Sequence, residues 1–313
     1  MKVFYDYKNI PDKFLSSIVT IGMFDGIHIG HKHIIEKIID LKKERKYQKT
    51  VLITFDPHPE TFLKKSKVSL KIMSLEHRLL FFEKLGIDIV IVLKFNDYLS
   101  KMFPEDFIKE ILLPIKTQYI CVGDNFFFGF NKKGDKNVLK NICDKYKIGL
   151  NIVKPILKNK DIISSTLIRK LILYGDIKNA EEMLGHKFSI LGTVIHGEKR
   201  GRKLGIPTAN IDSNHELIPP KGVYIVNVNI DKECFIGLLN IGINPTFCIN
   251  IDNIKKIELY ILDFSGDLYG KSVEIFFKKK IREEIKFKNI EDFKKQVAID
   301  IQKTREFYQK TFV

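Results

Sequence analysis

Residues Ser17–His31, with the sequence SIVTIGMFDGIHIGH, decide the fold of the N-terminal half of the chain. The first eight, Ser17–Phe24, form a short apolar run rich in β-branched side chains, which predicts a buried strand. A glycine-rich turn follows, and apolar residues then recur at helical spacing, at Ile34, Ile35, Ile38, Ile39 and Leu41. A buried strand that passes through such a turn into an amphipathic helix is typical of a parallel α/β sheet.

The same alternation of strand and helix continues along the first half of the chain. Predicted strands cover Thr50–Phe55, Ile87–Phe95 and Gln118–Val122. Predicted helices cover Leu75–Leu85 and Pro104–Leu113. We therefore predict an α/β Rossmann-like domain, which binds its ligands at the carboxyl ends of its strands.

The pattern changes near residue 185, after two short predicted helices, Ser165–Tyr174 and Ile177–Leu184. Strand signals then dominate, over Ser189–Ile195, Val223–Ile230, Phe235–Ile241, Ile257–Phe264 and Ser272–Phe277. A long helical pattern returns only at Ile290–Tyr308. We predict a small antiparallel β-barrel domain with a C-terminal helix, and assign residues 1–184 and 185–313 to the two domains.

Composition narrows the class of protein. The 313 residues are 44% hydrophobic, which excludes disorder of the whole chain, and no apolar run approaches the length of a membrane helix. The four cysteines are widely spaced and the N-terminus is charged, which favours a reduced cytoplasmic location. The net charge of +15 comes mostly from scattered lysines, which argues against nucleic-acid binding as the main function.

A phosphate site is predicted at the end of the first strand. Gly22, Phe24, Asp25 and Gly30 belong to the turn, and His28 and His31 stand at the mouth of the following helix. The helix N-terminus and two imidazoles can all donate hydrogen bonds to phosphate oxygens. A His-x-x-His pair alone is weak evidence, because such a pair is often only surface, but its position at a strand-to-helix turn favours phosphate binding.

Other segments fit the same ligand. Ser164 or Ser165 can cap a helix that carries Arg169 one turn later, which is either an ordinary cap with a surface arginine or the second side of a triphosphate clamp. Thr54–Pro59 and Gly123–Gly129 each follow a predicted strand. The phenylalanines beside Asn125 are either core residues or a wall suited to a planar ring.

A second site is predicted in the barrel half. The loop Gly197–Asn210 is basic and rich in glycine, and its Thr208 and Asn210 oxygens can serve a hard cation such as Mg²⁺. Spacing alone equally fits a solvated hairpin. Glu258 is a carboxylate within an apolar strand, either facing solvent or acting as a general base toward an alcohol.

In this order the motifs resemble the bifunctional riboflavin kinase/FAD synthetase family over essentially the whole chain. The N-terminal motifs Gly22–His31, Thr54–Pro59, Gly123–Gly129 and Ile163–Arg169 resemble its FMN adenylyltransferase part. Its riboflavin kinase part is resembled by Pro207–Asn210, Gly222–Tyr224, Asn240–Gly242 with Pro245–Thr246, and Glu258–Phe264. Two residues depart from the pattern: Phe127 where arginine is common, and Ile206 where phenylalanine is common.

The resemblance implies that ATP phosphorylates riboflavin to FMN and then adenylylates FMN to FAD, releasing pyrophosphate. Mg²⁺ and ATP would be needed, the partners would be small molecules, and the protein would be a monomer or weak homo-oligomer. The implied catalytic residues are His28, His31, Arg169 and Glu258. The implied nucleotide-binding residues are Gly22, Phe24, Asp25, Gly30, Ser164, Ser165, Thr166, Gly201, Thr208 and Asn210, with Thr208 and Asn210 also at the metal. The implied flavin-binding residues are Asn125, Phe62 and Phe128.

Two alternatives compete with this interpretation. One is a stand-alone nucleotidylyltransferase whose barrel has lost kinase activity. The presence of Thr208, Asn210 and Glu258 argues against this alternative. The other is a basic RNA-binding protein, which would leave the barrel motifs unexplained and would show salt-dependent RNA retention without flavin turnover.

Overall fold

The structure is a computed structural model, and its two halves adopt the two folds that the sequence patterns predict. The described residues are 1–8, 10–11, 17–45, 49–64, 71–158, 161–197, 205–214, 216–243 and 255–311. They form two compact units. One unit is Met1–Ile168 with Met183–Gly185, and the other is Arg169–Glu182 with His186–Val313.

A parallel sheet organises the N-terminal unit, which confirms the predicted α/β class. Its strands are β1 (Lys2–Phe4), β2 (Ser17–Ile21), β3 (Lys49–Asp56), β4 (Ile89–Lys94), β5 (Thr117–Gly123) and β6 (Gly149–Val153). The strand order is β1-β4-β3-β2-β5-β6, and every neighbouring pair is parallel. The chain therefore crosses over between strands, and the carboxyl ends of all six strands lie at one edge.

Helices connect these strands. They are α1 (Ile29–Arg45), α2 (Pro59–Lys64), α3 (Leu75–Lys84), α4 (Asp97–Lys101), α5 (Pro104–Phe107), α6 (Lys136–Tyr146), α7 (Ser165–Tyr174) and α8 (Ile177–Leu184), with a short hairpin of β7 (Leu157–Lys158) and β8 (Asp161–Ile162) before α7. The helix predicted over Pro104–Leu113 is α5 continued by a π-helical turn, in which the Leu113 N–H donates to the Ile108 carbonyl at 2.9 Å. Burial of Ile108, Ile111 and Leu112 in the core accompanies this wider turn.

A closed antiparallel barrel forms the C-terminal unit, as predicted. Its strands are β9 (Ser189–Ile195), β10 (Ala209–Asp212), β11 (Gly222–Ile230), β12 (Glu233–Ile243), β13 (Lys255–Ile261) and β14 (Ser272–Arg282), followed by helix α9 (Ile290–Thr311). Around the barrel the order is β10-β13-β12-β11-β14-β9. Strand β10 was not predicted, since its four residues follow a loop dense in glycine and charge. Among the described residues no helix is long and apolar enough to cross a membrane.

Alternation along the barrel strands separates an inner from an outer face. Val223, Ile225 and Leu238 lie on the outer face, where Ile301 and Phe307 of α9 pack against them. The intervening residues of the same strands, such as Tyr224, Val226 and Leu239, are buried as well and fill the barrel. The terminal helix therefore covers one side of the barrel, and polar residues on that side lie between the barrel and α9.

Asp88 joins two strands of the N-terminal sheet near their amino ends. Its Oδ2 accepts hydrogen bonds from the Thr50 N–H at 2.7 Å, the Thr50 hydroxyl at 2.8 Å and the Lys42 ammonium at 2.7 Å. Burial works to raise the pKa of the Asp88 carboxyl, but the hydrogen bonds from Lys42 and Thr50 outweigh it, so this pKa is lowered.

We expect Asp88→Asn to lower the free energy of unfolding of the N-terminal unit by about 2 kcal/mol at neutral pH, because charge-assisted hydrogen bonds are lost. The lowered pKa contributes stability above the unfolded value of about 3.9, and that contribution disappears as pH falls through the folded pKa. Urea unfolding at several pH values measures the difference. If the difference in free energy of unfolding between wild type and variant does not narrow in acid, the ionised Asp88 carboxylate is not the stabilising form.

Candidate active sites

The turn between β2 and α1 has an unusual backbone. Phe24 and Ile27 have φ values of 52° and 40°, and Gly26 lies between them at 79°. Positive φ is costly for side chains other than glycine, above all for a β-branched residue such as Ile27. The strand predicted to reach Phe24 ends at Ile21 for this reason, and the turn needs bonds from the surrounding structure to keep its shape.

Asp25 and Ser165 supply two of those bonds. The buried Asp25 carboxylate accepts from the backbone N–H groups of Ile72 at 2.9 Å and Met73 at 3.1 Å. The Ser165 hydroxyl, at the start of α7, donates to the Asp25 carbonyl at 2.8 Å. Two residues predicted to bind nucleotide therefore shape the turn itself, and Ser165 brings the first turn of α7 to it.

His28 caps helix α1 with its imidazole. Its Nδ1 accepts from the His31 N–H at 3.3 Å, and its carbonyl accepts from the Lys32 N–H at 2.9 Å. A Cβ on Gly30 would lie only 3.2 Å from the His28 ring, so a glycine allows the ring to sit over the helix end. With Nδ1 used as an acceptor, the neutral His28 ring carries its proton on Nε2, which can donate to a ligand.

The two predicted histidines form a stacked pair. Their ring centroids are 3.6 Å apart with an interplanar angle of 19°, and the Phe24 ring meets His31 edge-on. Burial, followed by the charges of His28 and Arg78, lowers the pKa of His31 well below its usual value. His31 Nδ1 is buried and has no hydrogen-bond partner among the described residues. The stacked pair is thus a preorganised site at a helix N-terminus, in which His31 is held neutral.

Arg78 lies beneath this turn, and the sequence analysis missed it. Its side chain is fully buried on α3, and its Nη1 donates to the Met23 carbonyl at 2.6 Å and to Thr54 Oγ1 at 2.7 Å. Leu75 and Phe82 are buried on the same helix face, three residues before and four after. A charged residue on an otherwise apolar helical stripe was the available signal.

Aromatic residues follow the carboxyl ends of neighbouring strands. Phe62 of α2 packs edge-on against Phe95 at a centroid distance of 5.6 Å. Phe128 stacks on Phe126 and belongs to the hydrophobic core, so most of its ring is covered by protein. Asp124, Asn125 and Phe127 are the exposed members of that loop, with Phe127 54% exposed.

The remaining predicted residues of the first site lie along the start of α7. Ser164 is the capping residue, since its hydroxyl accepts from the Leu167 N–H at 3.3 Å. Thr166 is exposed and Arg169 is half-buried. Arg169 falls in the second compact unit, whereas the residues before it in α7 belong to the first. Gly22, at the end of β2, donates its N–H to the Ile53 carbonyl at 3.0 Å.

Polar residues align across the outer face of the barrel. The strand register places Asn210 opposite Glu258 and Glu258 opposite Asn240. The same row continues from Asn240 to Val223 and from Val223 to Arg282. Directly opposed residues of antiparallel strands share a face. Asn210 and Glu258, which stand 48 positions apart in the sequence, are therefore neighbours.

A cavity of about 250 Å³ lies between this row and helix α9. Its walls include Thr208, Asn240 and Glu258 from the barrel. Phe287 and Phe293 add aromatic surface. The Glu258 side chain is 27% exposed, pairs with the Lys256 ammonium at 2.9 Å and lines this cavity.

A buried ion pair closes one end of this cavity. Arg282 donates from Nε to Asp300 Oδ2 at 2.9 Å, and its Nη2 lies 2.8 Å from the same oxygen. The Gln296 amide donates to the other Asp300 oxygen at 3.0 Å. Sequence reasoning missed this pair because its two members lie on different elements, β14 and α9.

Thr208 also borders a second, smaller cavity of about 90 Å³. Pro207, Leu259 and Tyr269 contribute to its walls, and the Tyr269 ring stacks on His196 at 3.9 Å. Thr208 therefore stands between two cavities of the same barrel. The predicted residues Gly201, Pro245 and Thr246 lie outside the described residues.

Comparison with known proteins agrees with both halves of this description. Residues 11–167 match the FAD synthetase family and residues 184–308 match the riboflavin kinase family. The "Bifunctional riboflavin kinase/FMN adenylyltransferase" of Buchnera aphidicola subsp. Acyrthosiphon pisum is 37% identical over 303 residues, covering 96% of each chain. That of Bacillus subtilis is 33% identical, covering 96% of this chain and 95% of its own.

A solved structure extends the likeness to the whole backbone. It is named macrolide-efflux protein from Streptococcus pneumoniae, and it covers 97% of this chain and 98% of its own with a TM-score of 0.82 at 29% identity.

The two folds and these matches define an enzyme with two transferase activities on flavins. The chain belongs to the family of bifunctional riboflavin kinase/FMN adenylyltransferases. It phosphorylates riboflavin to FMN and adenylylates FMN to FAD, with ATP as co-substrate. The predicted family and activities are confirmed, and both alternatives, the kinase-inactive enzyme and the RNA-binding protein, are disfavoured.

We expect His31 to remain neutral near pH 6, where an ordinary histidine of pKa about 6.5 is mostly protonated. The unfolded chain binds that proton and the folded chain does not, so the free energy of unfolding of the N-terminal unit should fall as pH drops through this range. A ring-proton NMR titration, with His31→Gln used to assign the signal, measures it. A titration midpoint at or above the ordinary value would contradict the burial argument.

Proposed function

We propose that the turn carrying His28 and His31 is the adenylylation site and that the Glu258 cavity is the riboflavin phosphorylation site. The assignment rests on one observation: each of the two compact units contains its own set of reactive side chains. The stacked imidazoles stand at a helix N-terminus in one unit. Glu258 and Thr208 line one cavity in the other.

At the first site, a phosphate oxygen of FMN attacks the α-phosphorus of ATP, and the bond to the pyrophosphate leaving group breaks. Negative charge builds on the transferring phosphoryl oxygens, and preorganised donors stabilise it. We assign this role to the imidazoles of His28 and His31, together with the first N–H groups of α1. Gly22, Phe24, Asp25 and Ser165 hold the backbone that presents them.

Further residues are proposed for the same ligands. Ser164 caps α7, and Thr166 and Arg169 lie on its first two turns, where hydroxyls and a guanidinium suit phosphate oxygens. Phe62 offers a half-buried aromatic face for the flavin ring, and Asn125 an exposed amide for its polar edge. Phe128 supports that loop from the core.

At the second site, a ribityl hydroxyl of riboflavin attacks the γ-phosphorus of ATP, and the bond to ADP breaks. Glu258 accepts the hydroxyl proton. The aromatic side of the larger cavity, with Phe287 and Phe293, suits the flavin ring system. The smaller cavity on the other side of Thr208 suits the nucleotide, so phosphoryl transfer would take place beside Thr208.

Mg²⁺ is proposed to reach the kinase site with ATP. The Thr208 hydroxyl and the Asn210 amide oxygen are hard, uncharged ligands, and they stand two positions apart at the start of β10. Mg²⁺ favours such oxygens together with substrate phosphates and water. When bound, the ion would neutralise charge on the transferring phosphate. The proposed Gly201 contact to nucleotide lies in the loop that precedes these ligands.

The functional boundary is proposed between residues 184 and 185, close to where the riboflavin kinase match begins at residue 184. We propose that the enzyme works in the cytoplasm as a monomer or weak homo-oligomer. Its partners are the small molecules riboflavin, FMN and ATP. Scattered lysines account for its basic charge without a nucleic-acid partner.

We expect His28→Ala or His31→Ala to abolish FAD formation while FMN still accumulates from riboflavin and ATP. Loss of a preorganised donor to transition-state charge should cost about 10²–10³ in the adenylylation rate. Chromatographic resolution of FMN and FAD measures both steps in one reaction. Equal loss of both activities in a folded variant would refute the assignment of separate sites.

We expect Glu258→Gln to lower kcat for FMN synthesis by about 10²–10⁴, the usual worth of general base catalysis. Glutamine keeps the shape and a hydrogen-bonding oxygen, so riboflavin affinity should change little. FAD synthesis from supplied FMN, which uses the other site, is the internal control. A kinase rate within twofold of wild type would show that Glu258 is not the base.

A further inference from the structure

We propose that Arg78 is a positioning residue for adenylyl transfer, which holds the turn between β2 and α1 in the geometry that receives the triphosphate of ATP. The inference rests on the proposed assignment of the adenylylation site to His28 and His31. Arg78 is 1% exposed, so it acts on the ligand through the turn and through its charge.

The hydrogen bonds of Arg78 join two strand ends. One terminal nitrogen, Nη1, donates both to the Met23 carbonyl, at 2.6 Å, and to Thr54 Oγ1, at 2.7 Å. Thr54 Oγ1 itself lies 3.5 Å from the Met23 carbonyl oxygen. Met23 begins the turn after β2, and Thr54 lies near the carboxyl end of β3. A single guanidinium therefore sets the spacing between two motifs that flank the proposed nucleotide site.

The turn requires such an anchor because its backbone is strained. Phe24, which directly follows Met23, has a φ of 52°, and Ile27 has a φ of 40°. Without the bond to its carbonyl, Met23 can rotate and let the turn relax toward ordinary backbone angles. His28 follows within five residues and supplies the cap of α1. Relaxation of the turn would therefore move the imidazoles.

Charge provides a second argument. An arginine stays protonated in a protein interior, and its positive charge is among the influences that lower the pKa of His31. A fixed positive charge below a turn lined by N–H groups favours an anionic ligand above it. Lysine could supply this charge but not the planar geometry of the guanidinium.

Stability alone does not account for an arginine at this position. A buried charge must be desolvated, and an apolar residue of similar volume often stabilises a core as well or better. Burial opposes the charged form of Arg78, while Asp25 and Asp56 favour it. Both carboxylates belong to the motifs of the proposed site. The positive charge of Arg78 is therefore stabilised by carboxylates of the proposed site.

The test compares Arg78→Met, Arg78→Lys and a matched control, Asp88→Asn, in the full-length protein. Asp88 is also a charged anchor of β3, but it bonds to Thr50, about 13 Å along the strand from Thr54. Urea unfolding first identifies conditions in which each variant is folded. We then measure kcat and the KM values for ATP and FMN in FAD synthesis, and riboflavin kinase turnover in the same samples.

We expect kcat/KM for ATP to fall about 10²-fold in Arg78→Met, because small displacements of positioned groups have effects of this size. Arg78→Lys should lose less, about tenfold, since it retains the charge. KM for FMN and the kinase rate should stay within twofold of wild type. Asp88→Asn, although destabilised, should keep wild-type kinetics where it is folded.

Wild-type kcat/KM for ATP in either folded Arg78 variant would overturn the proposal, as would an equal loss in Asp88→Asn. If Arg78→Met does not fold, the result for Arg78→Lys decides, because that variant keeps the buried charge. Continued FAD formation by His28→Ala would instead refute the underlying site assignment. If His28→Ala loses FAD formation while the Arg78 variants keep wild-type kinetics, only the role of Arg78 is refuted.

Discussion

Between β2 and α1 the backbone has to turn within seven residues, and Phe24 and Ile27 adopt positive φ to achieve it. The N-terminal site depends on this constraint, because the same turn delivers the His28 cap and places His31 beside it. Three side chains hold the turn in place. The Asp25 carboxylate bonds to the backbone at Ile72, the Ser165 hydroxyl to the Asp25 carbonyl, and the Arg78 guanidinium to the Met23 carbonyl. The strain is thus held by tertiary bonds, and the helix N-terminus is presented in one orientation.

The two sites of the chain are built in different ways. In the N-terminal unit, backbone geometry sets the site, and buried polar groups hold that geometry. In the barrel, regular strand register aligns Asn210, Glu258 and Asn240, and the site becomes enclosed only because α9 covers that face. A rigid turn is suited to stabilising charge, whereas a covered sheet face is suited to holding a larger, partly apolar ligand.

Much of this organisation could be predicted from the sequence, because apolar periodicity is a local signal. The bounds of β9, α7 and α8 agree residue for residue with the pattern, and the turn at Gly22–His31 was placed correctly at the end of a buried strand. What could not be predicted depends on contacts distant in sequence. Nothing local to Arg282 indicates that it pairs with Asp300, and the face on which Glu258 lies matters only once α9 is docked.

Arg78 is a residue whose element could be predicted but whose role could not. Its helix was predicted over Leu75–Leu85, and Arg78 occupies one of the inward positions of that helix. A pattern analysis that asks only for apolar residues passes over a charge there. The partners that make its burial tolerable are the Met23 carbonyl, in the turn after β2, and Thr54, on β3.

The order of the elements along the chain has a consequence for synthesis on the ribosome. The parallel sheet is complete at Val153 and its turn receives the Ser165 bond twelve residues later, so the adenylylation half has all its parts before the barrel begins. The larger barrel cavity, in contrast, draws its walls from residues between Ile206 and Asp300. Domains generally fold as units from the N-terminus during translation. The half that catalyses the second reaction is therefore the first to fold.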